Sequence, residues 1–273
     1  DVVQAYRSLF RTFYNFPPQL STTNVKRALG QCEILIKVAK EYGSLELIRP
    51  HLGNLLSQFR EALFVSIKND PARWLRVSVD LESPSIYTEA LIHLVGSYPA
   101  WPWATPKSEI PGGIHKLIKT KAQHLVKLSA LVERDLFLNS IEGADGKYVT
   151  MESDFEAWMP AQMFRDWFCR EVRAAAFKNS DAPNPMRIGA LYRRIRKGGD
   201  AYLPFDEVLK TLMLRVRNKT DSWTELADDL KMLKEYATKT VEDITKNKLL
   251  LDLEANTIGY LTCVDVTPAD YPW

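Results

Sequence analysis

Apolar residues recur at intervals of three and four along most of the chain, which is the pattern of amphipathic helices. The first run begins at Val2 and stops before Pro17; its predicted inner face contains Val3, Tyr6, Leu9, Phe10, Phe13 and Tyr14. A second run follows the polar residues 21–23, which can cap a helix. Gly43 closes this run, because glycine adopts a left-handed backbone at little cost.

The next run extends from Leu45 to Ile67 and predicts one main helix, with Pro50 marking a short turn near its start. Asp70-Pro71 and Ser83-Pro84 then each pair a capping residue with a proline at the first helical position. A further long helix is predicted to open at residues 111–113, "PGG", and to extend to Phe137.

The composition changes in the polar stretch "EGADGKYVT", residues 142–150, which predicts a loop and the best candidate for a domain boundary. After it, Ser153 and Glu156 have the spacing of a capping box, with Pro160 as a kink in the helix that follows. "KNSDAPNP" predicts a linker. Further helices are predicted over 186–197 and 205–217.

A second capping-box pair, Ser222 with Glu225, predicts a last helix toward Lys248, and "GYLTCVDVTPADYPW" predicts one strand or an extended tail. The chain is therefore predicted to be an all-α, multi-helix bundle. We divide it into residues 1–140 and residues 141–273, the second part ending in the extended tail.

Composition narrows the classes of function without choosing one. The chain has 273 residues, of which 46% are hydrophobic, and this is ample for a buried core. A net charge of +2 is small for a strongly basic nucleic-acid binder. No apolar run approaches the ~18 residues that span a bilayer. Three dispersed cysteines fit a reducing compartment, so the nucleus or the cytoplasm is expected.

Motifs for catalysis and metal binding were sought and none is convincing. The four histidines lack metal-site spacing, and no glycine-rich phosphate loop or G-x-S-x-G turn occurs. His93 and Cys32 lie in apolar helical patterns and are interpreted as core residues. We therefore predict a protein that is not an enzyme and that has no catalytic residues, no metal and no cofactor.

The stretch "GSYPAWPWATP", residues 96–106, places Tyr98, Trp101 and Trp103 among three prolines. Tryptophan and tyrosine dominate protein–protein hot spots, so these residues are one candidate partner-binding surface. The alternative is a stiff loop whose rings fold back over the helices, because such rings bury a large area. We favour the second interpretation, with one ring left partly accessible as a contact edge.

The stretch "YRRIRKGG" contains the other candidate site, formed by Arg193, Arg194, Arg196 and Lys197. Arginine suits phosphates and acidic peptides, so this cluster could contact an acidic partner or nucleic acid, with Lys178, Arg187, Arg215 and Arg217 extending the surface. Cations at a helix C-terminus also complement the helix dipole. We favour this structural interpretation and keep the binding one as the alternative.

The N-terminal part resembles the end of a BTB/POZ domain of a fungal group, followed by a BACK-like helical region. The resemblance rests on "LSTTNVKRALGQCEILIKVAKEYGSLELIRPHLGNLLSQ", "YRSLFRTFYNFPPQ", "DPARWL", "SIYTEALIHLVGSYPAWPW", "LVERDLFLNSI" and "YLTCVDVTPADYPW". It is more specific up to Trp103 than over 151–256. The sheet of a BTB domain would lie upstream of Asp1, so BTB-type dimerisation is in doubt for this chain.

This resemblance implies an adaptor or scaffold that binds other proteins, as a subunit of a ubiquitin-ligase or chromatin-associated complex. It leaves homo-oligomers open and implies no membrane partner. Nucleic-acid binding through residues 193–197 is the less favoured alternative. The identity of the protein partner does not follow from the sequence.

Overall fold

A computed structural model describes residues 2–143, 145–177, 180–215 and 223–273. Within them the chain forms eleven α-helices, so the all-α prediction is confirmed. The helices are α1 Val2–Phe13, α2 Val25–Glu41, α3 Leu45–Ser57, α4 Glu61–Asn69, α5 Pro71–Leu81, α6 Pro84–Ser97, α7 Gly112–Leu138, α8 Phe155–Ala174, α9 Pro185–Lys197, α10 Phe205–Arg215 and α11 Leu226–Thr240.

Short elements complete the fold. Strands β1 (Ala176–Phe177) and β2 (Ser180–Pro183) pair antiparallel; β2 lies in the stretch that was predicted as a linker, and β1 precedes that stretch. Three 3-10 turns lie at Lys107–Glu109, Gly199–Ala201 and Pro268–Asp270. The last of them interrupts the extended tail.

The chain divides into two compact units. Unit 1 comprises residues 1–122, 248–257 and 264–273, and unit 2 comprises residues 123–247 and 258–263. The division falls inside helix α7, whereas the sequence placed a boundary in the loop after residue 140, where the composition changes. Because α7 continues through residue 122 without a break, composition gives no sign of this division.

Helix starts follow the capping chemistry of the sequence, sometimes shifted by a residue or more. Asp70 caps α5 as predicted, because its side chain accepts a hydrogen bond from Arg73 N at 3.3 Å. Helix α2 is capped by Asn24 rather than by residues 21–23, and α8 by Asp154 rather than Ser153. The predicted cap at Ser222 lies outside the described residues.

Two predictions for unit 1 were wrong. The single helix over Leu45–Ile67 is two helices, because the chain turns at Arg60, where φ is +50°, and Pro50 lies inside α3. In α1 the inner face consists of Leu9 with the small residues Ala5, Ser8 and Thr12. Phe10 is half exposed, because small and hydroxyl side chains allow α1 to pack closely through its other face.

Unit 1 holds two returning segments of the C-terminal chain. The carboxylate of Glu89, which is 1% exposed, accepts hydrogen bonds from Leu250 N at 2.7 Å and Leu251 N at 3.1 Å. Farther on, the hydroxyl of Tyr87 donates to the carbonyl of Asp270 at 3.0 Å. The ring of Tyr271 packs against Tyr87 at 5.6 Å between centroids. These contacts fix the tail along α6.

Unit 2 holds the remaining segment, residues 258–263, against α9. The amide of Ala190 donates to the carbonyl of Gly259 at 2.9 Å. A Cβ added at Gly189 would overlap the backbone of Tyr260, and one at Gly259 would overlap the carbonyl of Met186. The two glycines therefore permit a backbone-to-backbone approach that no side chain would allow.

Candidate interaction site

The predicted aromatic stretch leaves α6 and is tied into unit 1. The indole N–H of Trp101 donates to Thr105 O at 2.7 Å, and that of Trp103 donates to Lys68 O at 3.1 Å. The hydroxyl of Thr105 donates to the capping carboxylate of Asp70 at 2.7 Å. Both indoles therefore satisfy their polar atom within unit 1.

The rings of this stretch are half-buried. Those of Trp101 and Trp103 meet edge to face, with centroids 5.5 Å apart. The ammonium of Lys107 lies 5.3 Å from the ring centroid of Tyr98 and 5.4 Å from that of Trp101. This geometry supports the architectural interpretation with accessible edges. Partner binding by Tyr98, Trp101 and Trp103 stays a prediction.

The predicted arginine cluster lies at the end of α9, but its side chains diverge. The guanidinium of Arg193 donates to the carbonyls of Ile258 and Tyr260, and its burial lowers its pKa. The Nη2 atom of Arg194 lies 2.7 Å from a carboxylate oxygen of Glu171. The same guanidinium covers the ring of Trp167 at 5.1 Å.

Arg196 and Lys197 are exposed, although Arg196 also donates to a carboxylate of Glu242 at 2.8 Å. The four predicted cations therefore do not form one surface. Arg193 and Arg194 fasten parts of unit 2 together, and only Arg196 and Lys197 face an open groove. Of the predicted extension, Lys178, Arg217 and the side chain of Arg215 lie outside the described residues. Arg187 donates to Ala174 O at 3.1 Å.

The groove beside Arg196 and Lys197 has a volume of about 510 Å³, and we call it the basic groove. Its walls are the last turn of α9, the turn that follows and one face of α11. Five cationic side chains line it against two carboxylates, those of Asp200 and Glu235. The cations are Arg196, Lys197, Lys231, Lys234 and Lys239.

Lys234 organises the wall of the basic groove. Its ammonium donates to Gly199 O at 2.8 Å and Leu203 O at 3.0 Å, and it lies 5.5 Å from the ring centroid of Tyr202. Burial lowers its pKa. Gly198, with φ at +62°, supplies the left-handed backbone with which the turn begins. The remaining lysines at the groove, Lys197, Lys231 and Lys239, are exposed.

Sequence reasoning missed the contribution of α11. Lys231, Lys234 and Lys239 recur at spacings of three and five in "LKMLKEYATK", so they share one side of the helix. This signal was present in the sequence. It is weak, because lysines on a helix usually form a solvated face, and only the packing of α9 beside α11 turns that face into a groove wall.

His93 and Cys32, which the sequence analysis interpreted as core residues, are buried. His93 is 0% exposed, and burial together with Lys68 lowers its pKa to about 3. Burial raises the pKa of the Cys32 thiol to about 12. Within the described part of the chain, histidine, cysteine and carboxylate side chains form no group of three or more that could hold a metal. In that same part, every helix is too short or too polar to cross a bilayer.

A comparison with protein families gives a match to the second half of the chain. Residues 138–243 are similar to the fungal FF domain. The matched region is less than half of the chain and includes all the residues that line the basic groove. No curated protein and no solved structure matches the chain at a comparable significance.

The FF match corrects the resemblance to BTB/POZ proteins. The family that matches is the FF domain, and the comparisons give no support for a BTB/POZ domain or a BACK-like region. The quoted stretches are helical, with capped starts and apolar faces, and such features recur in many helical folds. The expected ubiquitin-ligase role came from that resemblance and loses its support. A chromatin-associated role gains none from the match.

The FF domain is a protein-interaction domain, not a catalytic one. The match therefore fits the coarse prediction of a non-enzymatic protein that binds other proteins. It does not identify the partner, and it does not bear on homo-oligomers or nucleic acid.

Proposed function

We propose that this protein is a non-enzymatic adaptor whose unit 2 binds an acidic segment of a partner protein in the basic groove. The observation that carries the proposal is the gathering of five cations around one groove, within the region that is similar to a protein-interaction domain. Cations confined to a concave wall act on a ligand together, because the field of a cleft is focused by its low-dielectric sides.

The groove is suited to carboxylates for a second reason. Charge-assisted hydrogen bonds are stronger than neutral ones, and exposed lysines have three donors each to offer. Lys234 already holds the turn that follows α9, so this wall of the groove is ordered before a ligand arrives. An ordered wall reduces the entropy that is lost on binding.

Nucleic acid is the second candidate, because the same cations would attract phosphates. Two observations favour an acidic protein instead. Arg193 and Arg194, the cations best suited to bidentate phosphate contacts, are engaged inside unit 2. The net charge of +2 is also small for a nucleic-acid-binding surface.

The test must spare the structural arginines. Reversing Arg193 and Arg194 would weaken any binding by damaging unit 2, so the variant to use is Lys231→Glu with Lys239→Glu. Both lysines are exposed and line the groove. The matched control is Lys127→Glu with Lys210→Glu, which changes the net charge equally at exposed positions that do not line the groove.

Fluorescence anisotropy would measure the binding of a labelled glutamate-rich peptide and of a labelled DNA duplex at several salt concentrations. We expect the peptide to bind and the groove variant to weaken it about tenfold or more, as for the loss of ~1.4 kcal/mol of binding free energy. The control should bind like the unaltered protein. Preference for DNA with a steep salt dependence would favour the second candidate. Equal weakening in both variants would contradict a groove-specific site.

A further inference from the structure

Unit 2 contains a second groove, of about 760 Å³, between α8, the turn at residues 199–204 and α10. We call it the acidic groove. Its volume lies within the range of ~300–1,000 Å³ that is typical of ligand sites. It shares Asp200 with the basic groove, so the two grooves adjoin the same turn.

The charge at this groove has the opposite sign. Among the residues that the structure describes, Asp166, Asp200 and Glu207 line it together with one cation, Arg170. The guanidinium of Arg170 lies 3.3 Å from a carboxylate oxygen of Asp166. Among these four exposed residues the carboxylates outnumber the cation by two, and Asp200 also faces the cations of the basic groove, Lys234 among them. Such a rim repels phosphates and carboxylates and attracts lysine and arginine.

The floor of the acidic groove is apolar. Met159, Met163 and Leu203 are half-buried there and pack against the core of unit 2. Methionine side chains are unbranched and polarizable, so they adapt to apolar ligand groups of different shapes. An apolar floor within a charged rim matches the anatomy of protein-binding sites, in which an apolar centre is surrounded by polar residues.

Two stacked aromatic rings also line this groove. The rings of Trp167 and Tyr202 stack with centroids 4.5 Å apart and planes at 17°, and both residues are buried. Arg194 covers the ring of Trp167, and Lys234 lies near the ring of Tyr202. The stacked rings of Trp167 on α8 and Tyr202 in the turn therefore line the groove together with the methionines.

We propose that the acidic groove binds an amphipathic helical segment of a partner protein, with apolar side chains on the methionine floor and lysines or arginines paired with Asp200 and Glu207. Helix-in-groove recognition uses apolar anchors three, four and seven residues apart. The charge of the rim selects basic flanks around those anchors. This inference rests on the proposed protein-binding role of unit 2, but it does not depend on the basic groove.

A displayed library of random peptides, selected on the whole protein, tests both grooves at once. We expect two enriched classes: an acidic class, bound by the basic groove, and a second class with net positive charge and apolar residues at helical spacing, bound by the acidic groove. Labelled members of the second class should lose affinity about tenfold in Asp200→Lys with Glu207→Lys, which reverses the two carboxylates of the proposed pairing; a tenfold loss corresponds to ~1.4 kcal/mol of binding free energy. They should lose affinity in Met163→Ala as well. Their binding should be unchanged in Lys231→Glu with Lys239→Glu.

Circular dichroism would verify that each variant is folded. If the charge reversal unfolds the protein, Asp200→Asn with Glu207→Gln removes the charges with smaller structural changes and should still weaken the binding of basic peptides. Enrichment of acidic peptides alone, lost in the lysine variant, would overturn this inference and support the basic groove. Basic peptides that bind the acidic-groove variants normally would overturn it as well. If no peptide is enriched, both this inference and the proposed function fail.

Discussion

Units 1 and 2 each hold part of the same C-terminal chain, and they use opposite chemistry. Unit 1 uses an acceptor: the carboxylate of Glu89 receives the amides of Leu250 and Leu251. Unit 2 uses a donor: the guanidinium of Arg193 reaches the carbonyls of Ile258 and Tyr260. Extended chain that pairs with no strand leaves both its N–H and its C=O groups to be satisfied. Each unit satisfies one kind with an ionisable side chain, the buried Glu89 in unit 1 and the half-buried Arg193 in unit 2.

The two attachments also differ in how they depend on shape and on pH. The segment in unit 2 approaches α9 backbone to backbone through Gly189 and Gly259. Its charged partner, Arg193, stays protonated at every ordinary pH. The attachment in unit 1 lies beside His93, whose Nε2 is 4.0 Å from Glu89. The stability of unit 2 should therefore fall when a side chain is added at either glycine, and the stability of unit 1 should fall when the pH is lowered.

The largest effect is expected from Gly259→Ala. The new methyl group would overlap the carbonyl of Met186, so the segment must leave α9 or distort it. We expect the free energy of unfolding to fall by about 3 kcal/mol, at the upper end of overpacking effects. Urea denaturation would measure the loss, and hydrogen exchange of the α9 amides would locate it in unit 2.

Gly30→Ala is the matched control, because a Cβ at Gly30 in α2 would meet no atom within 4 Å. This change should leave stability unaltered or raise it by about 0.5–1 kcal/mol, since alanine favours helices. Equal stability of the two variants would show that the close approach on α9 is not a constraint.

The next effect, in Arg193→Met, separates a structural arginine from a binding one. The substitution keeps much of the apolar stem but leaves the carbonyls of Ile258 and Tyr260 without this donor. We expect a loss of about 2–3 kcal/mol, because buried acceptors would lose charged hydrogen bonds. Lys197→Met, four residues later at an exposed site, should change stability by less than about 0.5 kcal/mol. If Arg193→Met left the free energy of unfolding unchanged, Arg193 would not be structural, and the ligand-binding interpretation would apply to it again.

Arg193 also shows where sequence reasoning stops. The helix that carries it was predicted within a residue of its start and to its last residue, because caps and periodicity are local signals. Its side-chain partners lie some 65 residues later in the chain, and no local pattern reports them. The sequence therefore locates cations on helices, but it does not show which of them bind other parts of the same fold.

The basic groove illustrates the same limit of prediction from sequence. Arg196 and Lys197 were identified from their sequence cluster, but the lysines of α11 complete the groove only through packing. The break between α3 and α4 was missed because apolar periodicity continues across it, while the backbone turns at Arg60. The close contacts at Gly189 and Gly259 gave no signal either, since a glycine in a predicted helix such as Gly189 indicates only a weak helical position, and Gly259 lies in the predicted extended tail.

Acid should weaken unit 1 through His93. Its pKa is lowered from 6.5 to about 3 in the folded protein. As the pH falls below 6.5, the unfolded chain therefore takes up a proton on this histidine, whereas the folded chain does not. Stability from this group is complete above pH 6.5 and is lost as pH falls toward 3, by up to about 1.4 kcal/mol per pH unit. Burial raises the pKa of Glu89, which acts in the opposite direction at lower pH.

We therefore expect His93 to contribute a loss of about 2 kcal/mol in the free energy of unfolding between pH 6.5 and about pH 5, against the opposite contributions of Glu89 and Asp229. Urea denaturation would measure this loss as the difference between the pH profiles of the unaltered protein and the variant below. His93→Gln should remove most of this dependence, whatever it does to stability at neutral pH. His124, which is exposed, provides the control, and His124→Gln should leave the pH profile unchanged. A profile that is the same in all three proteins would contradict the assignment.

Asp229 in unit 2 should respond to pH with the opposite sign and a smaller effect. It is 8% exposed, and burial together with Glu225, Asp154 and Asp228 raises its pKa to about 6. A raised pKa means that the folded state prefers the protonated form. The stability that this group contributes is therefore complete below its unfolded value of 3.8 and is lost as pH rises through 6.

Asp229→Asn removes the charge and keeps the shape, so it should stabilise the protein by about 1 kcal/mol near pH 7.5. The gain should shrink as pH falls through 6 and vanish below 3.8, where Asp229 is neutral in both states. Asp228→Asn, at the exposed neighbouring position, should give a smaller gain, because it relieves only repulsion. If Asp229→Asn were destabilising at pH 7.5, the carboxylate would have to accept hydrogen bonds within unit 2, as the carboxylate of Glu89 does in unit 1. The two units would then differ only in the close backbone approach that Gly189 and Gly259 permit in unit 2.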